Sequence, residues 1–286
     1  MKALVKKNKL IAFVLFAYAF SWLCWSPVIH IVKADLFASP GWAIALIFLG
    51  GYGPSFSALL VSAITGGWAS VKTLVKKLFN WRVGFNWYAI IFLIWPIIFA
   101  LGASLYVKLG GSLGSTNYGL LPWIPAVYVV SIFLGPLAEE LGWRGFALPI
   151  LYEKYGFVGS SIILGIIWGI WHAPLFWAAT GTAVSGFDVN ATNVSLFILW
   201  TVGASVIHTW FYRNTYGSVL IAVLLHLSTN ASGTVLGLFF PELSIDDKQA
   251  IYYCTLFVLM LLIFLSAALI NTHKRLTHEY VVKISV

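Results

Sequence analysis

Residues 122–145 read PWIPAVYVVSIFLGPLAEELGWRG. No charge interrupts the run until Glu139 and Glu140, and Arg144 follows four residues after the second glutamate. A helix rises ~1.5 Å per residue, so about 20 apolar residues cross a ~30 Å hydrocarbon core. The run is long and apolar enough to be such a span. An ionisable side chain inside one costs about 2.5–3.5 kcal/mol on insertion scales. Two glutamates at that depth therefore point to function rather than to a solvated helix face.

The rest of the chain has the same character. It is 60% hydrophobic and 9% charged, against roughly 25% charged in soluble domains. Eight stretches qualify as spans, near 10–31, 42–64, 87–107, 122–144, 158–179, 195–212, 217–239 and 249–271. The gaps between them are too short for a second domain. The expected fold is all-α: a polytopic transmembrane helical bundle of about eight spans, one membrane domain over 1–286, with the lipid bilayer as its surroundings. The 14 Trp and 13 Tyr fit a chain with many membrane–water boundaries, where amphipathic rings collect. A multi-pass protein of the cell membrane is expected.

Charge sets the orientation. With the N-terminus inside, the cytoplasmic side receives Lys2, Lys6, Lys7, Lys9, Lys72, Lys76, Lys77, Arg82, Arg144, Lys154, Arg213, Lys274, Arg275 and Lys283. The outer side receives Lys33, Lys108 and Lys248. This asymmetry follows the positive-inside rule and supports an even number of spans, with both termini cytoplasmic. It also accounts for the net charge of +8. No basic stripe or soluble domain exists to bind nucleic acid. Cys24 and Cys254 form no CxxC pair, which argues against a structural zinc site or a disulfide framework. The basic start MKALVKKNK resembles a signal peptide, but the apolar run behind it is long and lacks a small-residue cleavage site; a retained first span is expected. Segment 71–86, VKTLVKKLFNWRVGFN, reads either as an amphipathic surface stretch or as a plain cytoplasmic loop. Sequons at Asn190 and Asn193 fall on the outer side.

Three further polar residues stand in motifs within apolar helices. His172 stands in WGIWHAP, with Trp168 one turn earlier on the same face. His226 and Asn230 stand one turn apart in LLHLSTN. Counting ~1.5 Å per residue from the turns at 152–156 and 212–217 puts Glu139 ~20 Å, His172 ~24 Å and His226 ~14 Å along their helices, in one layer of the membrane. The small-residue pairs Gly165/Gly169 and Gly233/Gly237 are expected to let the two histidine helices approach neighbours closely. Adjacent helical glutamates point about 100° apart. Arg144, at i+4, is placed to pair with Glu140, leaving Glu139 to face a cavity. A carboxylate and an imidazole suit proton abstraction from water, and a second imidazole with an amide N–H suits an oxyanion. No Ser or Cys stands in a nucleophile setting, so activated water is the expected attacking group. HExxH is absent, but zinc held by Glu139, His172 and His226 fits the ligand types. His208 is expected to hydrogen-bond within the bundle rather than join the cavity.

These motifs resemble those of the type II CAAX prenyl endopeptidase family, also called the CPBP or Abi intramembrane proteases. Glu139-Glu140-Leu141-Gly142-Trp143-Arg144 matches its Glu-Glu-x-x-x-Arg motif. Trp168 to His172 matches Phe-x-x-x-His, with Trp in place of Phe, a departure expected to concern packing beside the histidine. His226 to Asn230 matches His-x-x-x-Asn. The resemblance covers about residues 122–240, taken as the catalytic core. It implies a membrane endopeptidase that acts on a membrane-associated protein or peptide, including prenylated CAAX substrates in some relatives. It also implies that Glu139 and His172 activate water, that His226 and Asn230 bind the oxyanion, and that Glu140 and Arg144 support the glutamate helix. Both a zinc and a metal-free mechanism are argued for the family. Two rivals share the features: a non-catalytic scaffold or bacteriocin-immunity factor on the same fold, and a proton-coupled transporter. Transporters usually show repeats in matching halves, whereas the polar residues here cluster in the second half.

Overall fold

Lipid offers the backbone no hydrogen-bond partners, so an apolar chain can cross it only as helices or as a closed barrel. A computed structural model describes residues 2–182 and 184–284, with side chains except at Phe37 and beyond Leu269. The tail residues His273, Lys274, Arg275, His278 and Lys283 lie outside the described side chains. Among the described residues every regular element is helical. In order these are α1 (Lys2–Lys7), α2 (Lys9–Trp25), α3 (Gly41–Gly51), α4 (Gly53–Lys76), α5 (Phe85–Lys108), α6 (Ile124–Ser131), α7 (Pro136–Glu140), a π-helical stretch (Leu141–Ala147), α8 (Leu148–Trp171), α9 (Ala191–Asn214), α10 (Val219–Phe239) and α11 (Ile245–Ile284). Short 3-10 turns link several of them.

Six helical runs are long and apolar enough to cross a membrane, the longest being Tyr118–Trp171, with 54 residues. That run breaks at Gly156 (φ 65°, ψ −166°) and turns back on itself there, so it supplies two crossings. The 17-residue apolar helix α2 brings the described crossings to the expected eight. The protein is a multi-pass integral membrane protein. Gly156 occupies a backbone region that is essentially reserved for glycine. Gly156→Ala should therefore destabilise the fold by about 1–3 kcal/mol, read as a lower thermal midpoint in detergent; an unchanged midpoint would mean that the turn relaxes without strain.

A second break, at Gly67 (φ 66°, ψ −163°), ends the second crossing. Beyond it the helix continues to Lys76 and buries Val71 and Leu74 while Lys72 and Lys76 stay exposed. Over these residues the amphipathic reading of the basic segment holds, and the plain loop is confined to the part after Phe79.

Contacts sort the connections into two faces. On one, Lys77 Nζ donates to the Gly145 carbonyl at 2.7 Å, Ser218 Oγ donates to the Asn80 carbonyl at 2.5 Å, and the rings of Tyr152 and Tyr212 lie 6.3 Å apart. On the other, the Asn117 N–H donates to the Phe239 carbonyl at 2.8 Å, and the Tyr106 hydroxyl donates to Asp247 at 2.5 Å. There the Ser115 hydroxyl also donates to Glu242, which holds that exposed carboxyl below its ordinary range.

Two expectations need correction, on Arg144 and on the glycine pairs, and the sequon asparagines take structural roles. Arg144 was counted among the cytoplasmic loop cations, but it is fully buried, because the helix runs on past it to the turn at Gly156. Asn193 is buried, and its amide donates to the Asp188 carbonyl at 2.8 Å. Asn190 caps α9 by accepting from the Asn193 N–H at 2.9 Å. The two sequon asparagines thus build the start of a helix. Finally, only the first glycine pair packs tightly. A Cβ on Gly165 would lie 2.5 Å from the Val202 backbone, and one on Gly169 would lie 2.6 Å from the Thr201 hydroxyl. Gly233 and Gly237 line a cavity instead.

Candidate active site

The helix carrying the glutamates restarts just before them. Between Ser131 and Pro136 the chain turns at Gly135 (φ 123°), and Pro136 opens α7 with the fixed φ that suits a first helical position. Gly135 is required there twice over. Its φ disfavours a side chain, and a Cβ would come within 2.9 Å of Glu139 Oε1 and 3.6 Å of Asn230 Nδ2. The same contacts bring the Glu139 carboxylate and the Asn230 amide to one small backbone surface, although they stand on different spans.

The two glutamates have separate surroundings. Glu139 is 5% exposed. Its Oε2 accepts from the indole N–H of Trp168 at 2.7 Å and from that of Trp143 at 3.3 Å. Glu140 is wholly buried, and its Oε1 accepts from Arg144 Nη1 at 2.7 Å and from His226 Nδ1 at 2.8 Å. The pairing of Glu140 with Arg144 expected from the i,i+4 spacing is formed. The Arg144 guanidinium also lies over the Trp168 ring, 4.4 Å from its centroid.

The histidines are oriented by their Nδ1 atoms. His172 is the residue at which α8 ends, and its Nδ1 faces the Trp168 carbonyl at 2.9 Å. Since a carbonyl only accepts, Nδ1 carries the proton and Nε2 keeps its lone pair. In His226, Nδ1 is engaged by Glu140, so the carboxylate fixes the ring as carboxylates fix catalytic and ligating imidazoles. His208 stays out of the cavity: its Nδ1 donates to Ala204 of its own helix at 2.8 Å, and its ring packs edge-on against Trp168 and His226.

Glu139, His172, His226 and Asn230 all line one cavity of about 630 Å³, whereas Glu140 and Arg144 lie behind its wall. Threonine and serine hydroxyls, Trp200, Phe197 and Lys248 complete much of the lining. The residues considered for zinc do not fit an ion as they are placed. Among the described residues no three of His, Cys, Asp and Glu are grouped to hold one.

Sequence reasoning had treated Trp168 as packing. It is instead the closest hydrogen-bond donor to Glu139. Removing that charge-assisted bond while keeping an aromatic ring, in Trp168→Phe, should cost about 1.5–3 kcal/mol of interaction, read as a lower thermal midpoint in detergent. A variant with an unchanged midpoint would return Trp168 to a packing role.

Residues 121–232 match the family described as Type II CAAX prenyl endopeptidase Rce1-like. The chain is 25% identical over 173 residues to "CAAX prenyl protease 2" of Methanococcus maripaludis, across 58% of this chain and 63% of that protein. It is 38% identical over 52 residues to "Putative membrane peptidase YdiL" of Bacillus subtilis, across 18% of this chain and 21% of that protein. The chain thus matches less than two thirds of the length of either relative. The family whose model matches residues 121–232 is the one that the three motifs resemble.

Proposed function

We propose that this chain, Rce1-like over residues 121–232, is an intramembrane endopeptidase that hydrolyses a peptide bond of a membrane-associated protein or peptide with activated water. The observation that carries the reading is the convergence of Glu139, His172, His226 and Asn230 on one cavity while Glu140 and Arg144 brace it from behind.

Each group has a task that its bonding leaves it free to perform. Glu139 takes a proton from a water molecule as that water attacks the scissile carbonyl carbon. His172 Nε2, with its lone pair free, accepts the water's other hydrogen and aligns the attack. The carbonyl oxygen gains the negative charge and is met by the Asn230 amide N–H and by the His226 ring, which Glu140 holds through Nδ1. Collapse of the tetrahedral intermediate breaks the C–N bond, and the proton held on Glu139 passes to the leaving amine. Preorganised donors of this kind are worth about 10²–10³-fold in kcat each. No step is routed through a metal, because the donors are not arranged for one.

The test is cleavage of quenched-fluorescent peptides, prenylated and unprenylated, by the purified full chain in detergent or liposomes, beside Glu139→Ala and with or without a zinc chelator. Cleavage by wild type that resists the chelator and disappears in the variant is expected. Cleavage lost to chelator and restored by zinc would replace the metal-free scheme. A chain that cuts nothing, and whose Glu139→Ala variant keeps its cellular phenotype, would be a scaffold.

A further inference from the structure

We infer that a second pocket, between the start of α2, α4 and the π-helical stretch, binds the phosphate of an anionic phospholipid. The pocket measures about 230 Å³ and shares no lining residue with the cavity of Glu139. At ~30 Å³ per water it has room for about seven waters, enough for a phosphate group and the first carbons of what carries it. The inference stands apart from the endopeptidase reading, because no residue of that chemistry takes part.

Cations and hydroxyls face this pocket, and no carboxylate lines it. Lys9 enters from the start of α2 and Lys77 from just beyond α4, and Ser62, Thr65 and Ser70 add hydroxyls between them. A lysine ammonium carries three donors. Lys77 uses one on the Gly145 carbonyl, at 2.7 Å, which holds the side chain in place and leaves two donors for a ligand. Among the described residues neither lysine forms a salt bridge. Phosphate oxygens match such a set, as acceptors for both the ammonium and the hydroxyl groups.

Ser62 points most directly to a ligand. It is 5% exposed and lines the pocket. Thr65, three residues on, donates back to the Val61 carbonyl at 2.7 Å, the usual way a hydroxyl inside a helix is satisfied. Among the described residues the Ser62 hydroxyl makes no hydrogen bond of this or any other kind. A buried hydroxyl left without a partner is costly, and a ligand oxygen in the pocket supplies one. Beyond the break at Gly67 the Ser70 hydroxyl lies against Gly66, which brings a second hydroxyl back to the same pocket.

The surroundings select a lipid phosphate over a free one. Lys9 opens α2 and Lys77 follows α4, so the pocket lies at the ends of spans, at the depth of headgroups. Leu74, Phe146, Pro149 and Ile150 form its apolar wall, and Trp68 and Phe79 stand exposed in the same segment. A free phosphate gains nothing from apolar surface, whereas the glycerol and first methylenes of a lipid do. Basic pockets between spans suit headgroups for this reason. Lys6, Lys7, Lys72 and Lys76 are exposed in the flanking turns and add to the positive field. A choline headgroup would bring its own cation toward two ammonium groups, so the accepted lipid is anionic.

The experiment measures binding of a fluorescent short-chain phosphatidylglycerol to the full chain, purified and delipidated in an uncharged detergent. Unlabelled phosphatidylcholine and inorganic phosphate serve as competitors. Saturable binding with weak competition by either is expected. Lys9→Gln with Lys77→Gln should raise the Kd about tenfold or more. Glutamine at 77 keeps a donor for the Gly145 carbonyl, and the elution profile checks the fold. Lys72→Gln with Lys76→Gln removes the same charge outside the pocket and should change the Kd far less. Ser62→Ala removes a hydroxyl that bonds nothing within the protein, so the lipid-free thermal midpoint should hold while the Kd rises several-fold. Equal losses in the two lysine pairs would mean a diffuse basic surface and overturn the site, as would wild-type affinity in Ser62→Ala. Displacement by phosphatidylcholine or by inorganic phosphate at the lipid's own concentration would overturn the assignment to an anionic lipid.

Discussion

Glu139→Gln is expected to lower kcat by about 10²–10⁴-fold, the range for removing a general base, and to leave the fold intact. Glutamine keeps the shape of the side chain and one carbonyl oxygen. That oxygen still accepts the indole N–H groups of Trp168 and Trp143, which hold Oε2 in the native site. What is lost is the basicity that takes a proton from water. KM should change little, since the threonine and aromatic lining that contacts a substrate is untouched. Glu139→Ala is the less clean comparison, because it strands two buried N–H donors at about 1–3 kcal/mol each. Steady-state cleavage of a fluorogenic peptide, beside the thermal midpoint and elution profile of each variant, separates the two effects. Wild-type turnover in Glu139→Gln would remove this carboxylate from the chemistry and leave His172 as the base.

Much of this arrangement is legible in the sequence because few physical rules act on it. The spans follow from hydropathy, since lipid leaves an apolar backbone only the helix. The Glu140–Arg144 pair follows from spacing, since four residues return a side chain to within about 40° of its start. The common depth of Glu139, His172 and His226 follows from counting residues from the turns. Relations that depend on the angle between helices are not legible in this way. The bond from Trp168 to Glu139 joins residues 29 apart in the chain, and no period encodes it. The π-helical stretch over Leu141–Ala147 has no sequence signature either; such stretches often occur at functional sites. Gly233 and Gly237 show the same limit. Their spacing suits close helix packing, yet they serve as open wall, because the tertiary structure decides what a small residue faces.

The largest effect on the fold is expected from Arg144→Ala, about 3–5 kcal/mol of destabilisation. Removing the guanidinium leaves Glu140 as a buried carboxylate with only His226 for company, in a wall that excludes water. It also removes the cation stacked on Trp168, an interaction worth up to about 2 kcal/mol when desolvated, and so loosens the residue that holds Glu139. The readout is folded yield and thermal midpoint in detergent. A paired variant tells a missing counter-charge from a missing volume. Glu140→Gln with Arg144→Met has no buried charge to leave unpaired and keeps an acceptor for His226, so its folded yield should recover toward wild type. Its turnover should not recover, because His226 then loses the carboxylate on its Nδ1. Arg144→Ala folding as well as wild type would show that the pair contributes nothing to stability. Recovery of both yield and turnover in the double variant would show that the pair is scaffolding alone, and that His226 works without a charged partner.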